Sequence, residues 1–189
     1  MILLSVALIS ALIWPQSEPA IPERWHAWPA SKIFPSTLPG KSPSGAHVTY
    51  VLAGIAPETS CRDAFQPPVA RAMANCVTAL RATYSDSTQT FVATAGIAVL
   101  SGSAERFTGP WGTDRPPTVR PVAFPGAAEM FGERQYITGA VEASGERYVV
   151  LTAAGYSDGR IYRPGGKAEP RLSGVAKQLA AALNKELIR

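Results

Sequence analysis

"VTALRATYSDSTQTFVATAGIAVL", residues 77–100, is the stretch whose reading decides the fold. Two runs, 77–84 and 90–100, are rich in Val, Thr, Ala and aromatic residues, and both favour extended chain. Between them "SDSTQ" carries the Ser and Asp chemistry of a turn. The stretch is an antiparallel hairpin, and the rest of the chain can be placed around it.

Immediately upstream, "CRDAFQPPVARAMANC" (61–76) holds both cysteines of the chain. As one helix it would keep Cys61 and Cys76 about 22 Å apart, whereas a disulfide needs Cα atoms within about 7 Å. Pro67 and Pro68 break the run, and proline is tolerated in the first turn of the helix that restarts there. The chain can then double back, so a Cys61–Cys76 disulfide is expected, with Thr59 and Ser60 as cap candidates ahead of it. Closing a loop of about 15 residues stabilises by about 3 kcal/mol in the chain-entropy model. The segment reads as a stapled helical hairpin, neither a redox motif nor a metal site.

Further out, "HVTYVLAGI" (47–55) alternates and is β-branched, which predicts a strand. Downstream, "ERQYITGAVEA" (133–143) and "RYVVLTAAGY" (147–156) are two more, joined by a short turn containing Gly145. "SGSAERF" suggests a short helix, and Gly and Pro make 108–126 a long loop. In "SGVAKQLAAALNKELI" the apolar positions Val175, Leu179, Ala182, Leu183 and Leu187 recur at helical steps, with Ser173 as its cap. The echo between "TYSDSTQ" (83–89) and "GYSDGRI" (155–161) reads as two strand ends using the same turn residues, Asp86 and Asp158. The expected order is β-α-β-β-β-β-α. It predicts an α+β two-layer sandwich, a mostly antiparallel sheet of about five strands covered on one face by the 57–75 helical pair and the C-terminal helix.

A chain of 189 residues fits one such domain, placed at 46–189. Residues 1–14, "MILLSVALISALIW", are uninterruptedly apolar. As a helix they would span about 21 Å, short of the roughly 30 Å hydrocarbon core. That length suits a signal-peptide core, yet neither a positive start nor a prompt A-x-A cleavage site accompanies it. A retained anchor and a cleaved signal both remain open, and either way membrane targeting through 1–14 is expected. Seven prolines between Pro15 and Pro43 make 15–45 a proline-rich tether. Its bulky residues, Trp25, Trp28, Ile33 and Phe34, offer docking along the domain or a neighbour as the alternative.

Chemistry is sparse. The two histidines, His26 and His47, fall in the tether and at the domain's edge, where neither suits a triad or metal centre. "RPGGKAE" lacks two requirements of a phosphate loop, because Ile161 and Ala168 stand where glycine and Ser/Thr are needed. Carboxylates are spaced singly, so an acid pair would have to be assembled by folding. No catalytic residue, cofactor or metal ligand is expected. Net charge is +4 and no Lys/Arg block exists, which speaks against a nucleic-acid partner. The candidate binding loop lies within 108–126, where Trp111 sits among glycines and prolines with Arg115 and Arg120 nearby. Its alternative is that Trp111 folds back over one end of the sheet.

In organisation and composition the chain resembles small uncharacterised membrane-anchored extracytoplasmic proteins of actinobacteria: apolar start, proline tether, one α+β domain with a cysteine pair. The expected role is a non-catalytic extracytoplasmic module, tethered or secreted, that binds a protein or cell-envelope component. The alternatives are a cofactor-free hydrolase with an acid pair assembled in the fold, and an accessory subunit of a membrane complex.

Overall fold

The computed structural model describes residues 18–42, 44–104, 119–133, 135, 139, 141–143, 146–161 and 169–189. The apolar segment 1–14 lies outside them, and among the described residues no helix is long and apolar enough to cross a membrane. Strands β1 (Thr37–Lys41), β2 (His47–Thr59), β3 (Cys76–Asp86), β4 (Phe91–Leu100), β5 (Val141–Ala143) and β6 (Tyr148–Tyr156) form one sheet. Its order is β1-β2-β3-β4-β6-β5, and every pairing is antiparallel. Helices α1 (Arg24–Ala27) and α2 (Ala30–Ile33) precede it, α3 (Cys61–Ala64) and α4 (Pro67–Ala72) interrupt it, and α5 (Glu169–Ile188) closes the chain.

The hairpin that organised the sequence is the centre of the sheet. In β3–β4, Tyr84 pairs with Ala93 and Cys76 with Leu100. Asp86 makes the turn: its carboxylate accepts from the backbone N–H of Thr90 and Phe91, both at 2.8 Å. Asp158 likewise accepts from the Arg160 N–H at the end of β6. The α+β, antiparallel character therefore stands, as does the β5–β6 hairpin.

Several details differ from the sequence reading. The sheet has six strands rather than about five, and the additional one, β1, lies in the segment read as a tether. Pro39 is accommodated there because β1 is an edge strand with only β2 beside it. The described part of the tether instead docks along the domain. Tyr148 Oη donates to Ile21 O and accepts from Trp25 N–H, and the Tyr84 hydroxyl donates to Pro35 O. Of the strand expected at 133–143, the described residues show only Val141–Ala143, with a turn over 127–130 before it. Ser173 lies inside α5, which begins a turn earlier.

The helices also cover both faces instead of one. From Val92 to Leu100, and throughout β6, every residue is buried. A strand with no polar face needs apolar cover on both sides. Alternation sends Ala95, Ile97, Val99, Val150 and Tyr148 to one face, beneath Leu172, Leu179 and Leu183 of α5 and beside Phe34 of the N-terminal segment. Ala98, Val149, Leu151 and Ala153 face the other way, under Phe65, Val69 and Met73 of the α3–α4 region and Val119. Ala176 and Ala180 let α5 sit close to β6, where the Thr152 hydroxyl donates to Ala176 O at 2.8 Å.

The second face is built from small residues with rings laid directly on the backbone. A Cβ at Gly96 would stand 2.6 Å from Val119 Cγ2 and 2.9 Å from Phe65 Cε1, and one at Gly155 would stand 2.8 Å from Phe131 Cε2. Residues 119–131 cross this face without regular structure, so their backbone needs side-chain partners. The Thr83 hydroxyl donates to Val122 O at 2.7 Å and Val122 N–H donates to Thr94 Oγ1 at 3.0 Å.

Candidate functional site

The 61–76 segment sets the frame. Ser60 caps α3 by accepting from Asp63 N–H, and its hydroxyl donates to the Asp63 carboxylate at 2.8 Å. Phe65 is extended, Gln66 stands at the N-cap position of α4, and Pro67 occupies its first position. The chain thus doubles back at the prolines. Cys61 and Cys76 form the expected disulfide, with Cα atoms 6.2 Å apart. The bond ties the start of α3 to the start of β3 and is consistent with an oxidising, extracytoplasmic setting.

Residues 119 and 120 are locked against this hairpin. Val119 bridges Phe65, Arg120 N–H donates to Ala64 O at 2.7 Å, and Arg120 Nε donates to Phe65 O at 3.2 Å. The result is a hollow of about 460 Å³ lined by Arg62 of α3, Pro67, Ala70 and Arg71 of α4, and Arg120. A fourth guanidinium stands behind it: Arg81 of β3 donates from Nη1 to Arg120 O at 3.4 Å.

The electrostatics are unbalanced toward positive charge. Arg120 pairs with Glu133 at 3.1 Å. Arg62 and Arg71 are exposed and make no ion pair or side-chain hydrogen bond among the described residues. Burial, and then the positive charge of Arg120, hold the Arg81 pKa below the ordinary arginine value, while Asp63 opposes them. The Arg81 Nε is buried without a hydrogen-bond partner among the described residues. Such an arrangement can bind an anion by charge-assisted forks.

Of the candidate binding loop, Arg120 is the residue the structure places here; Trp111 and Arg115 lie outside the described residues. The sequence reading missed Arg62, Arg71 and Arg81 as partners of Arg120. The nearest signal was two arginines within the stapled hairpin, and nothing local linked them to a residue 55 positions beyond Phe65.

Two other hollows are structural. One, of about 410 Å³, surrounds Trp28, with Arg24 4.5 Å and Lys32 4.3 Å from its ring centre. Its charges are already engaged, because Lys32 pairs with Glu18 at 2.7 Å and buried Arg24 donates to Leu187 O at 2.6 Å. The other, of about 80 Å³, lies beside Tyr50 and Asp86. His47 is exposed at the start of β2, and no group of three His, Cys, Asp or Glu side chains among the described residues is placed to hold a metal ion. Compared with protein-family models, with curated proteins and with solved structures, the chain matches none.

Proposed function

We propose that this chain is a non-catalytic extracytoplasmic binding module, held at a membrane through residues 1–14 or released from it, that binds a protein or cell-envelope component through the arginine-lined hollow. One observation carries the reading. Arg62 and Arg71 face a hollow of about 460 Å³ without an anionic partner among the described residues, on a frame that a disulfide holds in place. Charges kept apart from partners at a fixed spacing serve recognition better than stability, since exposed ion pairs contribute little to the latter.

The test is retention of envelope material by the full chain carrying a C-terminal affinity handle, alongside the doubly substituted Arg62→Ala/Arg71→Ala chain. The unsubstituted chain should retain an envelope component that the double variant loses. Equal retention by both would remove the hollow from the reading. Turnover of a panel of hydrolase substrates by the purified chain would replace binding with catalysis.

A further inference from the structure

We infer that the arginine hollow takes a phosphate monoester, the phosphate seated among Arg62, Arg71 and Arg120 and its carbon-bearing part against Pro67 and Ala70. The inference rests on the hollow being a binding site and names the chemistry of its ligand.

Charge is the first argument. Four guanidiniums, Arg62, Arg71, Arg81 and Arg120, face the carboxylates of Asp63 and Glu133, leaving an excess of two positive charges. A phosphate monoester carries about −1.5 to −2 at neutral pH, which matches that excess. A single carboxylate carries half as much.

Geometry is the second. A carboxylate has two oxygens, and one guanidinium fork satisfies both. Three arginines from three separate segments converge here, which suits an anion that presents three oxygens in different directions. A phosphate monoester does so. The volume is the third argument: about 460 Å³ falls within the roughly 300–1,000 Å³ of small-molecule sites. It therefore leaves room for the esterified group, which Pro67 and Ala70 meet with an apolar wall. Arg81 acts as a positioning residue. It fixes the Arg120 carbonyl and adds its charge from behind, with an Nε that no acceptor among the described residues occupies.

The experiment titrates the oxidised full chain with inorganic phosphate, glycerol phosphate and acetate, read by calorimetry. Both phosphates should bind and acetate should not, with glycerol phosphate the tighter because it also meets the apolar wall. Arg62→Ala or Arg71→Ala should each weaken phosphate about tenfold or more, the loss of one charge-assisted contact. Arg71→Lys, which keeps the charge and loses the fork, should fall between. Lowering the pH through about 6 should weaken glycerol phosphate as the ester loses its second charge. An intact disulfide by mass and unchanged circular dichroism separate loss of site from loss of fold. Acetate binding as well as phosphate would overturn the monoester assignment while leaving the binding module standing. No binding of any anion, with arginine-dependent envelope capture retained, would do the same. Phosphate bound more tightly than glycerol phosphate would assign the hollow to the free ion and overturn the ester.

Discussion

The two faces of the sheet are closed by opposite means. On the α5 face the main cover is one long amphipathic helix, whose Leu172, Leu179 and Leu183 meet Ile97, Val99, Tyr148 and Val150, with Ile33 and Phe34 of the N-terminal segment beside it. Under α3 and α4 the cover is two helices of four and six residues plus the irregular stretch 119–131. Isolated helices that short are not stable in water. That face depends on a disulfide, on the Thr83–Thr94 hydroxyls and on Gly54, Gly96 and Gly155, which let the rings of Phe124, Phe65 and Phe131 reach the backbone. The first face holds the domain together. The second, assembled from pieces, has gaps between its pieces, and the arginine hollow is one of them.

The contrast can be broken most severely through α5. Leu179 is fully buried, so Leu179→Ala should cost about 2–5 kcal/mol. Urea unfolding would show it as a lower midpoint with the same slope, and a cost under 1 kcal/mol would mean that this face is not the main store of stability. Reducing Cys61–Cys76 should cost about 3 kcal/mol in the chain-entropy model. Its effect should be local, exposing 61–76 to protease before the strands open. Simultaneous loss of both faces would contradict the division. Gly96→Ala pushes a methyl into Val119 and Phe65 and should cost about 1–3 kcal/mol. It should also weaken phosphate binding at the hollow, because Val119 and Phe65 fix Arg120.

Alkaline pH sharpens the same comparison from the other side. Burial raises the pKa of Tyr50 to about 12, and burial likewise pushes Tyr84 and Tyr148 up. All three belong to the α5 face. The folded chain holds each phenol neutral above the unfolded value near 10. The stabilisation is therefore complete below about pH 10 and is lost as pH rises toward 12, at up to about 1.4 kcal/mol per pH unit for Tyr50. Ionised Tyr84 and Tyr148 can no longer donate to Pro35 O and Ile21 O, so the N-terminal segment should leave first. Fluorescence of Trp25 and Trp28 would report it, and a pH-independent signal up to 12 would count against the burial of these phenols.

Much of this architecture was legible in local sequence. The hairpin at 77–100, the C-terminal helix and the staple follow from propensity, period and two prolines, all short-range properties. The edge strand β1 was not, because "TLPGK" carries a proline that only its neighbourless side makes tolerable. The two-sided burial was written in "FVATAGIAVL" and "YVVLTAAGY", whose apolar residues occupy consecutive positions. Reading them as one-sided put both helical regions on one face. Of the site, Arg120 alone was singled out. Its partners are brought to it by the Phe65–Val119 bridge, a long-range contact with no trace in either segment.

The clamp between Arg24 and the Leu187 carbonyl has an orientational consequence. It brings the N-terminal segment and the last turn of α5 to the same side of the sheet, the side opposite the arginines. The domain therefore has a front and a back, and its described ends both lie on the back, the face opposite the hollow. Tension applied between the two ends would load that clamp together with the Tyr148–Ile21 contact to β6.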